Sequence, residues 1–63
     1  MNQAQFNTVD YSYNQLIQAI GRMNEAEKLL RQVGMTVSAA KIANASRMVR
    51  QEADHIREAL ENN

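Results

Sequence analysis

The 63-residue sequence contains no cysteine and no proline, only two glycines, and only one phenylalanine and two tyrosines as aromatic residues. The absence of cysteine excludes disulfides, and the lack of proline together with scarce glycine favours long helices that are interrupted once. No apolar run approaches the roughly 20 residues that span a bilayer. We therefore expect a helical protein that does not enter a membrane.

Charge and the first residues restrict the class of protein further. Seven basic and seven acidic residues leave no net charge, so the sequence lacks the basic excess of a general nucleic-acid binder. The opening residues, MNQAQFNTVD, have neither the basic nor the apolar region of a secretory signal. Together with the missing cysteines, this pattern predicts a cytoplasmic location.

Residues that could carry chemistry are few. There is no cysteine nucleophile, a single histidine and no glycine-rich phosphate loop, so we predict no enzymatic activity, no catalytic residue and no cofactor. Glu52 and His55 have the Glu-x-x-His spacing of di-iron bundles. His55, however, projects away from the apolar side of its helix, and we predict no metal site.

From Val9 onwards, mostly apolar residues recur at alternating spacings of four and three residues. This heptad spacing is typical of an α-helix that packs along its whole length. This first stripe comprises Val9, Tyr13, Leu16, Ile20, Met23, Glu27 and Leu30. It predicts a helix over residues 9–33. Residues 1–8 are polar and are predicted to form a flexible N-terminal arm.

Gly34 marks the end of the first helix, because glycine adopts the left-handed conformation of a Schellman motif without steric cost. Ser38 is a suitable N-cap for a second helix over residues 38–61. The second stripe comprises Ala39, Ile42, Ser46, Val49, Ala53, Ile56 and Leu60. A link this short between two long helices predicts an antiparallel hairpin, which forms a single domain over residues 9–63.

A two-helix hairpin cannot cover its own core, and both stripes are widened by further apolar residues: Ile17, Ala26, Leu29, Val33, Ala45, Met48 and Ala59. Such wide faces are typical of bundles with four or more helices. We therefore predict an all-α homodimeric four-helix bundle, or a higher helical oligomer. Its core is expected to contain Leu16, Ile20, Met23, Leu30, Ile42, Val49, Ile56 and Leu60.

Charge is ordered along the second helix. Residues 38–50 contain three basic residues and no acidic one, whereas residues 51–61 contain four acidic residues and one basic residue. Pairs at i,i+4, Arg50 with Asp54 and Arg57 with Glu61, offset part of the unfavourable interaction with the helix dipole. Three interpretations stay open: an antiparallel contact with a second copy, an anion site at the basic half, or a solvated face.

Glu27 is the only charged residue in either stripe. It is costly to bury without a partner. One hypothesis pairs it with Arg31, four residues later, at the rim of the interface. The alternative places it with Ser46 in a buried polar layer that would determine register and oligomeric state.

The segment SAAKIANAS, residues 38–46, offers more small-residue surface than one neighbouring helix can use, which suggests a contact surface. We expect a non-enzymatic protein of bacterial or phage-like type that homo-oligomerises and binds a larger, unidentified protein as an inhibitor, adaptor or chaperone. The alternative is an oligomer that sequesters an anionic small molecule, such as a nucleotide, between protomers. The predicted contact residues are Tyr11, Ala39, Lys41, Ala43, Arg47 and Arg50.

Overall fold

The computed structural model describes all 63 residues and consists of two α-helices in an antiparallel hairpin. Helix α1 spans Gln3–Gln32 and helix α2 spans Thr36–Glu61. The molecule measures 48 × 15 × 11 Å. The predicted all-helical hairpin is thus confirmed. Neither helix contains an apolar stretch long enough to cross a membrane.

Helix α1 begins at Gln3, six residues before its predicted start at Val9. A capping box holds this end: the Asn2 side chain accepts a hydrogen bond from the Gln5 backbone N–H at 2.8 Å, and the Gln5 side chain accepts one from the Asn2 N–H at 3.0 Å. Each bond satisfies a backbone donor. Residues 3–8, predicted as a flexible arm, therefore belong to α1, and half-buried Phe6 extends the first stripe by one position.

The link between the helices is a Schellman motif around Gly34, as predicted. Gly34 has a φ of 82°. Its N–H donates to the Arg31 carbonyl at 3.1 Å, and the Met35 N–H donates to the Leu30 carbonyl at 2.9 Å. Helix α2 then begins at Thr36 without a side-chain cap. Ser38, the predicted N-cap, lies inside the first turn of α2.

The two helices pack through the stripes that the sequence predicts. Only four residues are buried: Ile20 of α1 is 2% exposed, and Ala39, Ser46 and Ala53 of α2 are 0%, 6% and 1% exposed. The three small residues recur every seven positions and so form one line along α2, where short side chains allow α1 to approach closely. The other stripe residues are half-buried: Val9, Tyr13, Leu16, Met23, Glu27, Leu30, Ile42, Val49, Ile56 and Leu60.

The two glycines provide a test of the turn. Gly34→Ala is expected to destabilise the protein by about 1 kcal/mol, because alanine tolerates a positive φ poorly. Gly21→Ala is expected to stabilise it by about 0.5–1 kcal/mol, because Gly21 lies inside α1 and a Cβ there meets no atom within 4 Å. Urea titrations followed by circular dichroism at one protein concentration measure both changes. Two shifts of the same sign would contradict this account.

Candidate functional site

A polar cleft of about 390 Å³ opens on one side of the hairpin. Two groups of residues line it: Asn24, Glu27 and Arg31 from α1, and Ala43, Ser46, Arg47 and Arg50 from α2. Spacings of three and four place each group on one face of its helix. We call this feature the arginine cleft, because three of its seven lining residues carry a guanidinium group.

Ser46 and Asn24 join the helices beneath the cleft. The Ser46 hydroxyl donates to Asn24 Oδ1 at 3.0 Å, and the pair is partly buried. It is the only side-chain hydrogen bond between α1 and α2. Because Oδ1 accepts this bond, the Asn24 amide keeps its two N–H donors for other partners.

Glu27 forms the rim of the cleft together with Arg31. Arg31 Nε donates to Glu27 Oε2 at 3.0 Å, and the Glu27 side chain is 26% exposed. The rim pair predicted from the i,i+4 spacing is therefore present. The alternative polar layer of Glu27 with Ser46 is absent, because Ser46 bonds to Asn24. The terminal nitrogens of Arg31 make no hydrogen bond within the protein.

Arg50 makes no ion pair. The predicted pair of Arg50 with Asp54 is not formed. Instead, Asp54 Oδ1 lies 3.8 Å from Arg57 Nη2, and Arg57 Nε lies 3.8 Å from Glu61 Oε1. The predicted pair of Arg57 with Glu61 is thus present, and Arg57 between two carboxylates takes the partner expected for Arg50. Arg50 therefore has no carboxylate within ion-pair distance, and the one carboxylate of the cleft, Glu27, is paired with Arg31.

Arg47 donates through Nη2 to the side-chain oxygen of Asn44, which is neutral. Its charge is therefore also uncompensated. The arginine cleft contains three guanidinium groups and one carboxylate, so it carries two net positive charges in a chain whose formal net charge is zero.

The structure gathers only some of the predicted contact residues. Ala43, Arg47 and Arg50 line the cleft together. Lys41 is exposed but lies outside the cleft. Tyr11 is 66% exposed and lies about 20 Å along α1 from Asn24. These two residues therefore do not contribute to the same site.

Ala39 was predicted both as a member of the second stripe and as a contact residue for a partner. Its exposure is 0% because it packs against α1, which agrees with its place in the stripe and leaves it no free surface in the hairpin. The larger stripe residues of α2, such as Ile42 and Val49, are only half-buried. The close contact with α1 instead runs along the line of Ala39, Ser46 and Ala53.

Four of the seven cleft residues were not predicted as contact residues: Asn24, Glu27, Arg31 and Ser46. The sequence pattern indicated Glu27, Arg31 and Ser46 only as members of the stripes, of a rim pair or of a polar layer, and it did not indicate Asn24. The signal on α1 is the spacing of Asn24, Glu27 and Arg31 along one face of the helix. Facing residue numbers sum to 70 at the Asn24–Ser46 bond. The sequence predicts a turn centred near residue 35.5 and so a sum of about 71, which agrees to within about one residue.

The pair of Glu52 and His55 lies outside the cleft. Glu52 Oε2 is 3.7 Å from His55 Nδ1, and both side chains are about 70% exposed. No group of three or more potential metal ligands forms in the hairpin. The absence of a functional metal site stays a prediction.

A second surface is apolar and lies towards the turn. Five of the eight large hydrophobic residues that are exposed fall between residues 29 and 48: Leu29, Val33, Met35, Val37 and Met48. We call them the apolar patch. Val33 and Leu29 lie roughly half a helical turn from Asn24 and Arg31, and Met48 lies roughly half a turn from Arg50. The arginine cleft and most of the apolar patch therefore occupy different sides of the hairpin.

Comparison with known proteins adds no functional assignment to these two surfaces. The chain matches none of the protein-family models, curated proteins or solved structures with which it was compared.

Proposed function

We propose that the protein is a cytoplasmic, non-enzymatic interaction module. Two hairpins associate through their apolar patches into a homodimeric four-helix bundle, and the dimer binds a larger protein and regulates it as an inhibitor, adaptor or chaperone. The observation that carries this proposal is the incomplete core of the single hairpin.

The single hairpin has too much surface for its mass. Its accessible area is 4678 Å², whereas a compact chain of this mass exposes roughly 4,100 Å². Its radius of gyration is 14.6 Å, against about 11 Å for a compact domain of this length. Only four of 63 residues are buried. A partner that covers the half-buried stripes would supply the missing core.

A second copy of the chain is the partner that best fits the apolar patch. The long face of the hairpin measures 48 × 15 Å, or about 700 Å² in projection. An interface of standard size, with ~800 Å² from each partner, would therefore extend from the apolar patch along most of this face. The five residues of the patch are all apolar. Lys41 lies on the same face of α2 as Val37 and Met48, so a second copy must leave its ammonium group in water at the edge of the contact. A twofold dimer also uses the same patch on both chains.

The larger protein would then contact the surfaces that the dimer leaves open. Exposed Tyr11 and the arginine pair of Arg47 and Arg50 lie outside the apolar patch. Tyrosine and arginine are enriched at protein interfaces, and an exposed helix face is a common recognition surface. Regulation by a small helical dimer requires no catalytic group.

Sedimentation equilibrium tests the dimer. The wild type is expected at twice the chain mass of 7.2 kDa. Val33→Glu and Met48→Glu are each expected to raise the dimer dissociation constant at least about tenfold, because each places a charge in an apolar contact. Ala40→Glu, at an exposed position of α2 outside the patch, serves as the matched control and should stay dimeric. A wild type that is monomeric at several hundred micromolar would refute the proposal.

A second set of variants tests binding to a larger protein. Affinity isolation from the native host, followed by quantitative mass spectrometry, should recover a protein with the wild type and with Arg57→Ala, a matched arginine substitution outside the proposed contact. Tyr11→Ala combined with Arg47→Ala should recover much less of it. Adding the purified hairpin protein should then change the activity or the aggregation of that partner. An isolated partner whose behaviour is unaffected would contradict the regulatory role.

A further inference from the structure

We propose that the arginine cleft binds the phosphate group of a small molecule within a single hairpin. This inference does not depend on the proposed dimer, because the cleft and the apolar patch occupy different sides of the molecule. It differs from the prediction of a ligand held between protomers, since every lining residue comes from one chain. Lys41, predicted as a ligand contact, takes no part.

The cleft offers donors that have no partner of their own. Arg50 makes no ion pair, and Arg31 uses only its Nε for Glu27, so its terminal nitrogens are free. The Asn24 amide contributes two further N–H donors, since its oxygen is occupied by Ser46. A phosphate group presents several strong acceptor oxygens, and guanidinium groups bind such oxygens in bidentate fashion.

The shape of the cleft suits a small polar group. Ala43 and Ser46 are the shortest side chains of its lining, and they leave space between the arginines of the two helices. Ala43 is also the only apolar lining residue, so an apolar ligand would gain little burial there. The volume of about 390 Å³ is near the lower end of the range of small-molecule sites, which is about 300–1,000 Å³.

The charge of the cleft matches a phosphate dianion. Three guanidinium groups against the Glu27 carboxylate leave two net positive charges. The pairing of Glu27 with Arg31 at 3.0 Å holds the Arg31 side chain at the rim. Because the whole chain is formally neutral, the positive charge is local, which favours a small phosphate compound over a long polyanion.

Titration of ¹⁵N-labelled protein with pyrophosphate, followed by NMR, tests the proposal. Saturable shifts are expected for residues 24–31 and 43–50 and for the Asn24 side-chain amide. Inorganic phosphate should bind at the same residues about 3- to 10-fold more weakly, since it makes fewer charge-assisted hydrogen bonds. Shifts that do not saturate, or that spread over the basic residues outside the cleft, would overturn the site.

Matched variants separate a specific site from general charge attraction. Arg47→Gln and Arg50→Gln should each weaken pyrophosphate binding about 5- to 10-fold. Lys41→Gln and Arg57→Gln each remove one positive charge outside the cleft. They should change the affinity for pyrophosphate less than about twofold, because exposed charges are screened. Glu27→Gln should strengthen binding, since it removes the only negative charge of the cleft. Equal weakening by all four basic-residue variants would refute the proposal.

The dimer variant keeps this test independent of the proposed dimer. Met48→Glu, expected to be monomeric, should bind pyrophosphate within about twofold of the wild type, because the cleft belongs to one hairpin. Loss of binding in a folded Met48→Glu monomer would overturn the single-hairpin site. Sedimentation equilibrium of Arg50→Gln reports on the dimer alone, so failure of one proposal is distinguishable from failure of the other.

Discussion

Ala53→Leu is expected to lower the free energy of unfolding by about 2–3 kcal/mol. Ala53 is 1% exposed and lies in the same line of α2 as Ala39 and Ser46. A leucine at this position has no space to occupy unless α1 moves away. Such a movement would also weaken the packing of half-buried neighbours along both helices. Urea unfolding at one fixed protein concentration measures the loss, because association contributes to the apparent stability.

Ala40→Leu is the control for this overpacking experiment. It makes the same change on the same helix, next to buried Ala39, but at an exposed position. Its effect is expected to stay within about 0.5 kcal/mol. If Ala53→Leu were as harmless as Ala40→Leu, α1 would not approach α2 along the small-residue line, and the packing described above would be wrong.

Ile20→Ala is expected to destabilise the protein by about 2–4 kcal/mol. Ile20 is 2% exposed and is the only buried residue of α1. It lies one turn before Asn24, so the antiparallel register places it against α2 between Ser46 and Ala53. Truncation removes three carbons from the one large side chain that is buried. Since small proteins are only marginally stable, this loss should unfold a measurable fraction of the molecules.

Ile17→Ala provides the comparison, because it removes the same atoms three residues earlier on α1. Ile17 is 40% exposed, so its truncation in the single hairpin should cost less than about 1 kcal/mol. Thermal and urea unfolding of both variants test the difference. Equal losses would indicate that Ile17 is as buried in solution as Ile20, which would place it in an interface.

Only half of the arginine cleft was predictable from the sequence. The charge order of α2 indicated Arg47 and Arg50, and the small residues indicated Ala43. The short turn gave the register of the two helices to within about one residue. It did not show which side of α1 would line a cleft with residues 43–50, and this left Asn24 and Arg31 unassigned.

Ala39 and Arg50 show a second limit of helical periodicity. A stripe of spacings three and four identifies the buried side of a helix but not the line along which its neighbour comes closest. Ala39 was therefore predicted both as a stripe residue and as a contact residue for a partner, whereas α1 covers it completely. Likewise, i,i+4 spacing allowed Arg50 to pair with Asp54, but it could not show that Arg57 would take this carboxylate.

The start of α1 was wrong for a different reason. The Asn- and Gln-rich opening residues have the composition of a loose segment, and the prediction followed this composition. The capping box of Asn2 with Gln5, and Phe6 three residues before Val9, were local signals for a helix that begins at Gln3.

The sequence by itself determined the two helices, the turn at Gly34 and the residues of the packed stripes, because these follow from heptad spacing and from the conformational freedom of glycine. Only the tertiary structure decided that the closest contact runs along Ala39, Ser46 and Ala53, that Asn24 bonds to Ser46, and that Arg50 faces the cleft unpaired. These features depend on how one helix lies against the other, which is a relation between residues more than 20 positions apart in the chain.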